Sequence, residues 1–298
     1  MGQFIKIAAL TLLLAAICVG AVFLLFSDGR LRYLRSIDQI ELTESGILRG
    51  NLAFCDATEQ RLVYEFENEQ ILTLKELYPL ARIAGEGPEW ERALRLMNEY
   101  APRLSHKSDF ANTPAQSAEE LLSYSLDKKN QGVNCRAKAQ ILNEMCLSLG
   151  IYARKVWLMP YSIYDKDCHV VNEVWDSTLQ KWIMLDITQN SYWVDETRTP
   201  LSVLEIREKL ALREFCTPIR ADDKRDDLQK IKNELSGNFL YIAKNMVYLE
   251  YCAKYTAGES DRYYVLCPQA MQESLDQRLD GAPVDWISRS SIERSPLA

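Results

Sequence analysis

The sequence predicts an α+β fold in which a cysteine-bearing helix packs on an antiparallel sheet, preceded by one transmembrane helix. Three stretches carry that expectation. Residues 7–26 form an uncharged apolar run, residues 134–149 carry a helical stripe closed by Gly150, and residues 169–175 and 182–187 alternate as the two arms of a hairpin.

The apolar run reads IAALTLLLAAICVGAVFLLF. Twenty residues of helix span roughly 30 Å, the thickness of a bilayer's hydrocarbon core. A cleaved signal has a shorter apolar region and a small-x-small cleavage site, whereas Leu24-Leu25-Phe26-Ser27 offers none. A retained single-pass N-terminal anchor is therefore expected. Lys6 flanks one side and Arg30, Arg32 and Arg35 the other. That balance alone leans towards a cytoplasmic domain. Short N-terminal anchors of bacterial enzymes more often leave the domain outside, and an extracytoplasmic domain is the expectation adopted.

Of 298 residues, 47% are hydrophobic, enough for a sizeable core. The formal charge of -7 and the lack of a Lys/Arg-rich run argue against nucleic-acid partners. Eight cysteines and only two histidines, His106 and His169, occur without any C-x-x-C. The usual ligand pairs of a structural zinc site are missing, and no calcium-loop pattern is evident, so neither a metal nor another cofactor is expected. Outside the anchor seven cysteines remain, which fits one free thiol with three disulfides as well as seven free thiols.

Four segments follow from this reading: an anchor over 1–29, a linker and helical lead-in over 30–84, a catalytic core over 85–215, and a helical or irregular extension over 216–298. In the lead-in to the core, Trp90, Ala93, Leu94, Met97 and Tyr100 recur at helical spacing after Glu86-Gly87-Pro88. Ser117 and Glu120 resemble a capping box. Asn134 is a good N-cap, and Ala137, Ile141, Met145 and Leu149 share one stripe. A strand is expected over 152–159 and a helix beyond Thr199-Pro200. The aromatic stretch 239–251 fits either helix or strand.

Cys135 opens the helix that Asn134 caps. Unpaired N–H groups and the positive end of the helix dipole favour a thiolate there, and Arg136 and Lys138 add positive charge. Gln131-Gly132-Val133 lets the chain approach closely, with the Cys135 N–H as oxyanion donor and Gln131 as a further candidate. In the hairpin, alternation places His169 and Glu173 on one face and Asp186 on one face of the second strand. Closure about Ser177-Thr178 would set His169 directly opposite Asp186, where a carboxylate can orient the imidazole. A slip of one residue would separate them. Glu173 and Trp175 read as structural. The loop 160–167 and Tyr192-Trp193 are candidate walls of a substrate groove.

The stretches GVNCRAKAQILNEMCLSLGIYARKV (132–156), DCHVVNEVW (167–175) and KWIMLDIT (181–188) resemble the transglutaminase-like superfamily, whose core is circularly related to that of papain-like thiol proteases. The resemblance covers roughly residues 115–200. It implies a transglutaminase-like or papain-like core and a Cys135–His169–Asp186 triad. Val171 stands where many members have an aromatic residue, and Ile187 where proline is common; both departures touch packing. Active members attack a carbonyl with a thiolate and form an acyl-enzyme. The resemblance thus implies action on amide bonds of proteins or peptides, with hydrolysis expected. An amine-accepting acyltransferase, or a non-catalytic binding domain of the same fold, would carry the same signature.

Overall fold

The computed structural model describes residues 10–18, 29–111, 116–127, 131–279 and 284–297. Most of the expected anchor therefore lies outside the described residues. Residues 10–18 are helical. Among the described residues no helix is long and apolar enough to cross a membrane. The chain divides into two units, Met1–Thr43 and Glu44–Ala298. The stretch read as a linker is largely a helix, Gly29–Gly50.

The second unit is built on an eight-stranded sheet. In chain order its strands are β2 (Ala153–Met159), β3 (His169–Asp176), β4 (Lys181–Asp186), β5 (Ser191–Val194), β6 (Thr217–Arg220), β7 (Tyr248–Cys252), β9 (Tyr263–Leu266) and β10 (Val284–Trp286). A separate parallel pair joins β1 (Val63–Tyr64) to β8 (Lys254–Tyr255). Spatial order in the large sheet is β10-β9-β7-β2-β3-β4-β5-β6. All its pairings are antiparallel except β10 with β9 at the edge.

The segment 216–298 thus differs from the expected helical or irregular extension. It supplies β6, β7, β9 and β10, and β7 pairs directly with β2. β7 and β9 are largely apolar and largely buried, and such runs lack the clean alternation that marks a strand in sequence, while β6 and β10 are only four and three residues long. The ambiguous stretch 239–251 contains both elements: the helix Ser236–Lys244 ends at Asn245, and β7 follows.

The helix Cys135–Ser148 lies against β2 and β3 and is flanked by the helices Glu69–Leu77, Glu89–Tyr100 and Ala118–Leu126. Every residue from Ala137 to Ser148 is buried. Burial all round forces its polar side chains inward. Glu144 Oε1 accepts hydrogen bonds from Ala118 N, Gln140 Nε2 and Gly258 N, at 3.0, 2.6 and 3.0 Å. Burial raises its carboxyl to about 7, against the pull of those donors. The Ala118 N–H is capped by Glu144, while Ser117 makes no side-chain cap, so the expected capping box is replaced by a tertiary contact.

Candidate active site

Two local devices fix Cys135. The Asn134 side chain accepts a hydrogen bond from Ala137 N at 3.0 Å, which starts the helix at Cys135. Upstream, Val133 forms a parallel bridge with His106, with Val133 N donating to Ser105 O at 3.1 Å and Lys107 N to Val133 O at 3.0 Å. A Cβ on Gly132 would stand 2.9 Å from Lys107 Cβ and 3.1 Å from the His106 carbonyl carbon. Only glycine fits this approach.

His169 and Asp186 meet on one face of the hairpin. His169 Nε2 lies 2.8 Å from Asp186 Oδ2, and both side chains are almost fully buried. Their juxtaposition is reached by a different register from the one expected. Asp176 pairs with Lys181 and Asn172 with Leu185, so extending the ladder sets Val171, not His169, across from Asp186. The turn is two residues longer because Asp176 Oδ1 accepts from Thr178 N and Leu179 N, at 3.0 and 2.8 Å, and Gln180 takes a left-handed φ of 53°. A slip of two preserves the face, and the diagonal neighbour remains within side-chain reach. Asp186 is itself held by Thr188 N and Gln189 N on Oδ1, at 2.9 and 3.2 Å.

With Nε2 engaged by Asp186, Nδ1 is the imidazole nitrogen left for the hydrogen bond between His169 and Cys135. Burial pushes the Cys135 thiol up. The hydrogen bond and charge of His169, with the Val170 N–H, outweigh it and hold the thiol below its ordinary value. Burial likewise disfavours a charged imidazole, but the charge and hydrogen bond of Asp186, then those of Cys135, raise His169 to about 10. Both shifts act in the direction that favours a thiolate–imidazolium pair. Burial raises Cys168, Cys146 and Cys252 to about 11, 12 and 11, so those three stay thiols at neutral pH.

Cys135 and His169 open onto a cleft of about 920 Å³, and Asp186 is buried away from it. His106, Trp157, Cys168 and Tyr241 line it beside Cys135 and His169. The Tyr241 ring stands edge-on to His169 at 5.4 Å, and its hydroxyl reaches Asp167 Oδ1 at 3.1 Å and Cys168 O at 3.2 Å. Lys166 and Asp167 bring the expected loop to the wall. Gln131 is absent from the lining, and so are Tyr192 and Trp193. Trp193 is buried against Phe239 at 5.3 Å, and Tyr192 packs on Trp90 at 5.7 Å. Sequence reasoning missed His106, Trp157 and Tyr241. Its one available signal was that the chain has just two histidines; nothing local marks the aromatics. Glu173 is structural, as expected: it binds Arg154 Nε and Nη2 at 2.9 and 2.6 Å in full burial.

Residues 80–187 match the family model of the transglutaminase-like superfamily. The chain carries a transglutaminase-like domain. Cys135, His169 and Asp186 all lie within it, whereas Tyr241 lies beyond it. No curated protein matches the sequence. Among solved structures, the chain is similar to a candidate cysteine protease from Cytophaga hutchinsonii, with 18% identity over 40% of this chain and 38% of that one, at a TM-score of 0.32. It is also similar to Rad4–Rad23 bound to a 6-4 photoproduct lesion, with 12% identity over 74% of this chain and 56% of that one, at a TM-score of 0.23. The chain thus spans little more than a third of the first structure and about half of the second. Neither superposition is close enough to add to what the transglutaminase-like match states.

Proposed function

We propose that this protein is a thiol enzyme that cleaves amide bonds of proteins or peptides through a Cys135 acyl-enzyme. The single observation that supports the reading most is that Cys135 and His169 share one cleft while buried Asp186 holds the imidazole at 2.8 Å. In the proposed reaction the Cys135 thiolate attacks the amide carbonyl carbon. Charge gathers on the carbonyl oxygen, where the first-turn N–H groups of the helix have no partner within it. The His169 imidazolium then gives its proton to the departing amine as the C–N bond breaks, leaving a thioester. Neutral His169 next takes a proton from water as the water oxygen attacks. The C–S bond breaks and a carboxylic acid leaves. Asp186 holds the ring and stabilises its charged form throughout.

Labelling with iodoacetamide near neutral pH tests the nucleophile. Cys135 is expected to react faster than every other cysteine, and Cys135→Ala to lose both that labelling and activity on a casein digest while keeping the wild-type circular dichroism. Activity persisting in Cys135→Ala would end the proposal. Supplying a fluorescent primary amine separates the outcomes: release of free amine without incorporation supports hydrolysis, and covalent incorporation assigns an acyltransferase instead. The proposal retains residues 7–26 as a membrane anchor with the catalytic domain outside the cytoplasm. Extraction of membranes with alkaline carbonate should leave the protein in the pellet, and added protease should digest it from intact cells; solubilisation or protection would reject the corresponding part.

A further inference from the structure

We propose that Cys55 and Cys267 are a disulfide-forming pair that staples the lead-in segment to the central sheet. Phe54 and Pro268 are antiparallel bridge partners, Cys55 N donates to Cys267 O at 2.8 Å, and Gln269 N donates to Ala53 O at 2.9 Å. This pattern sets residue 55 directly across from residue 267. Opposed residues of an antiparallel pair have Cα atoms about 4.5–5.5 Å apart, inside the window of about 4.4–6.8 Å that a disulfide spans. Cys55 is the nearest thiol to act on Cys267, whose own S–H donates to Pro268 O at 3.4 Å. Both are free thiols here. Access is one-sided. Cys55 lines an open cavity of about 410 Å³ with Phe54 and Asp56, while Cys267, 2% exposed, stands behind it.

That arrangement orders the chemistry. The Cys55 thiolate attacks one sulfur of a disulfide oxidant entering the cavity, breaking its S–S bond and releasing one thiolate. Cys267 then loses its proton and attacks the Cys55 sulfur, expelling the second thiolate. The oxidant gains two electrons and the protein loses two hydrogens. Burial, and the neighbouring Cys55, hold the Cys267 thiol well above the ordinary range, so the closing step is slow at neutral pH and quickens in alkali. The ring so closed encloses the whole match over 80–187 as well as Tyr241. This inference does not depend on the proposed reaction.

The test treats the full-length Cys135→Ala chain, which lacks the competing cleft thiol, with oxidised glutathione. Peptide mapping without reductant should recover a 55–267 linked peptide. The thermal midpoint should rise by roughly 10 °C, as expected for closing a long loop, and fall back on reduction. Adding Cys55→Ser should abolish that rise. A stable glutathione adduct on Cys55 beside a free Cys267, or linkage of either to another cysteine, would overturn the proposal. Should the double variant fail to fold, the peptide map of the parent chain decides alone.

Discussion

Replacing Asp186 by Asn tests the series of contacts at its most buried link. The isosteric amide keeps an oxygen for the Thr188 and Gln189 N–H groups, so the strand end should hold its shape. What it removes is the charge beneath the imidazole. Raising His169 from 6.5 to about 10 corresponds to roughly 5 kcal/mol in favour of the imidazolium, shared between Asp186 and Cys135. With Asp186 neutral, burial acts on the ring with much less opposition and drives it towards the uncharged form. Two effects then reach Cys135 with opposite signs. Losing the nearby carboxylate favours the thiolate, and losing the imidazolium disfavours it; the His169 interactions are the larger, so the thiol should rise. Alkylation by iodoacetamide followed against pH reads this directly and needs no substrate. In the wild type the rate should reach its plateau below the thiol's ordinary value of 9.0, whereas in Asp186→Asn the midpoint should move up by a pH unit or more. Turnover should fall by about 10²-fold or more. Superimposable alkylation profiles for the two proteins would refute the coupling argued from the 2.8 Å contact.

Further outcomes follow from the contacts around this site and beneath it. Glu173→Gln leaves Arg154 buried without its counter-charge, stacked 3.8 Å from Trp182; urea unfolding should show a loss of about 3–5 kcal/mol, and a loss near zero would refute a stabilising role for the pair. Gly132→Ala must push the chain off Lys107 and His106, so it should cost about 1–3 kcal/mol and lower the Cys135 alkylation rate, both measurable on one preparation. Because the folded value of His169 lies above 6.5, its contribution to stability is complete below that value and is lost as pH rises through about 10. Urea midpoints should therefore drop between neutral pH and about pH 10 in the wild type, and much less in His169→Gln.

How much of this was readable in the chain depends on the range of the physics involved. The nucleophile helix was legible because Asn134, the stripe to Leu149 and Gly150 are local signals. His169 and Asp186 were legible because alternation fixes a face whatever the turn length, provided a slip is even. The turn itself was misjudged, though Asp176 followed by Ser177-Thr178 is a recognisable start for an Asx turn and the left-handed Gln180 gives no sign in sequence. The strands after residue 216 were hidden for a different reason. β9 follows β7 closely, but β7's other partner, β2, lies almost a hundred residues upstream, and no nearby residue records that pairing. Tyr241 reaches the cleft only because β7 draws the preceding helix in beside His169.

The placement of β2 between β3 and β7 has a consequence for where the chain could be divided. The stretch shared with the superfamily stops at Ile187, short of β7. A polypeptide ended there would carry all three reactive side chains, yet it would present the unpaired backbone of β2 to solvent as a sticky edge and lack the tyrosine beside the imidazole. The matched stretch and the folded sheet are therefore of different lengths, and cutting the chain at the end of the match would open the sheet along its middle.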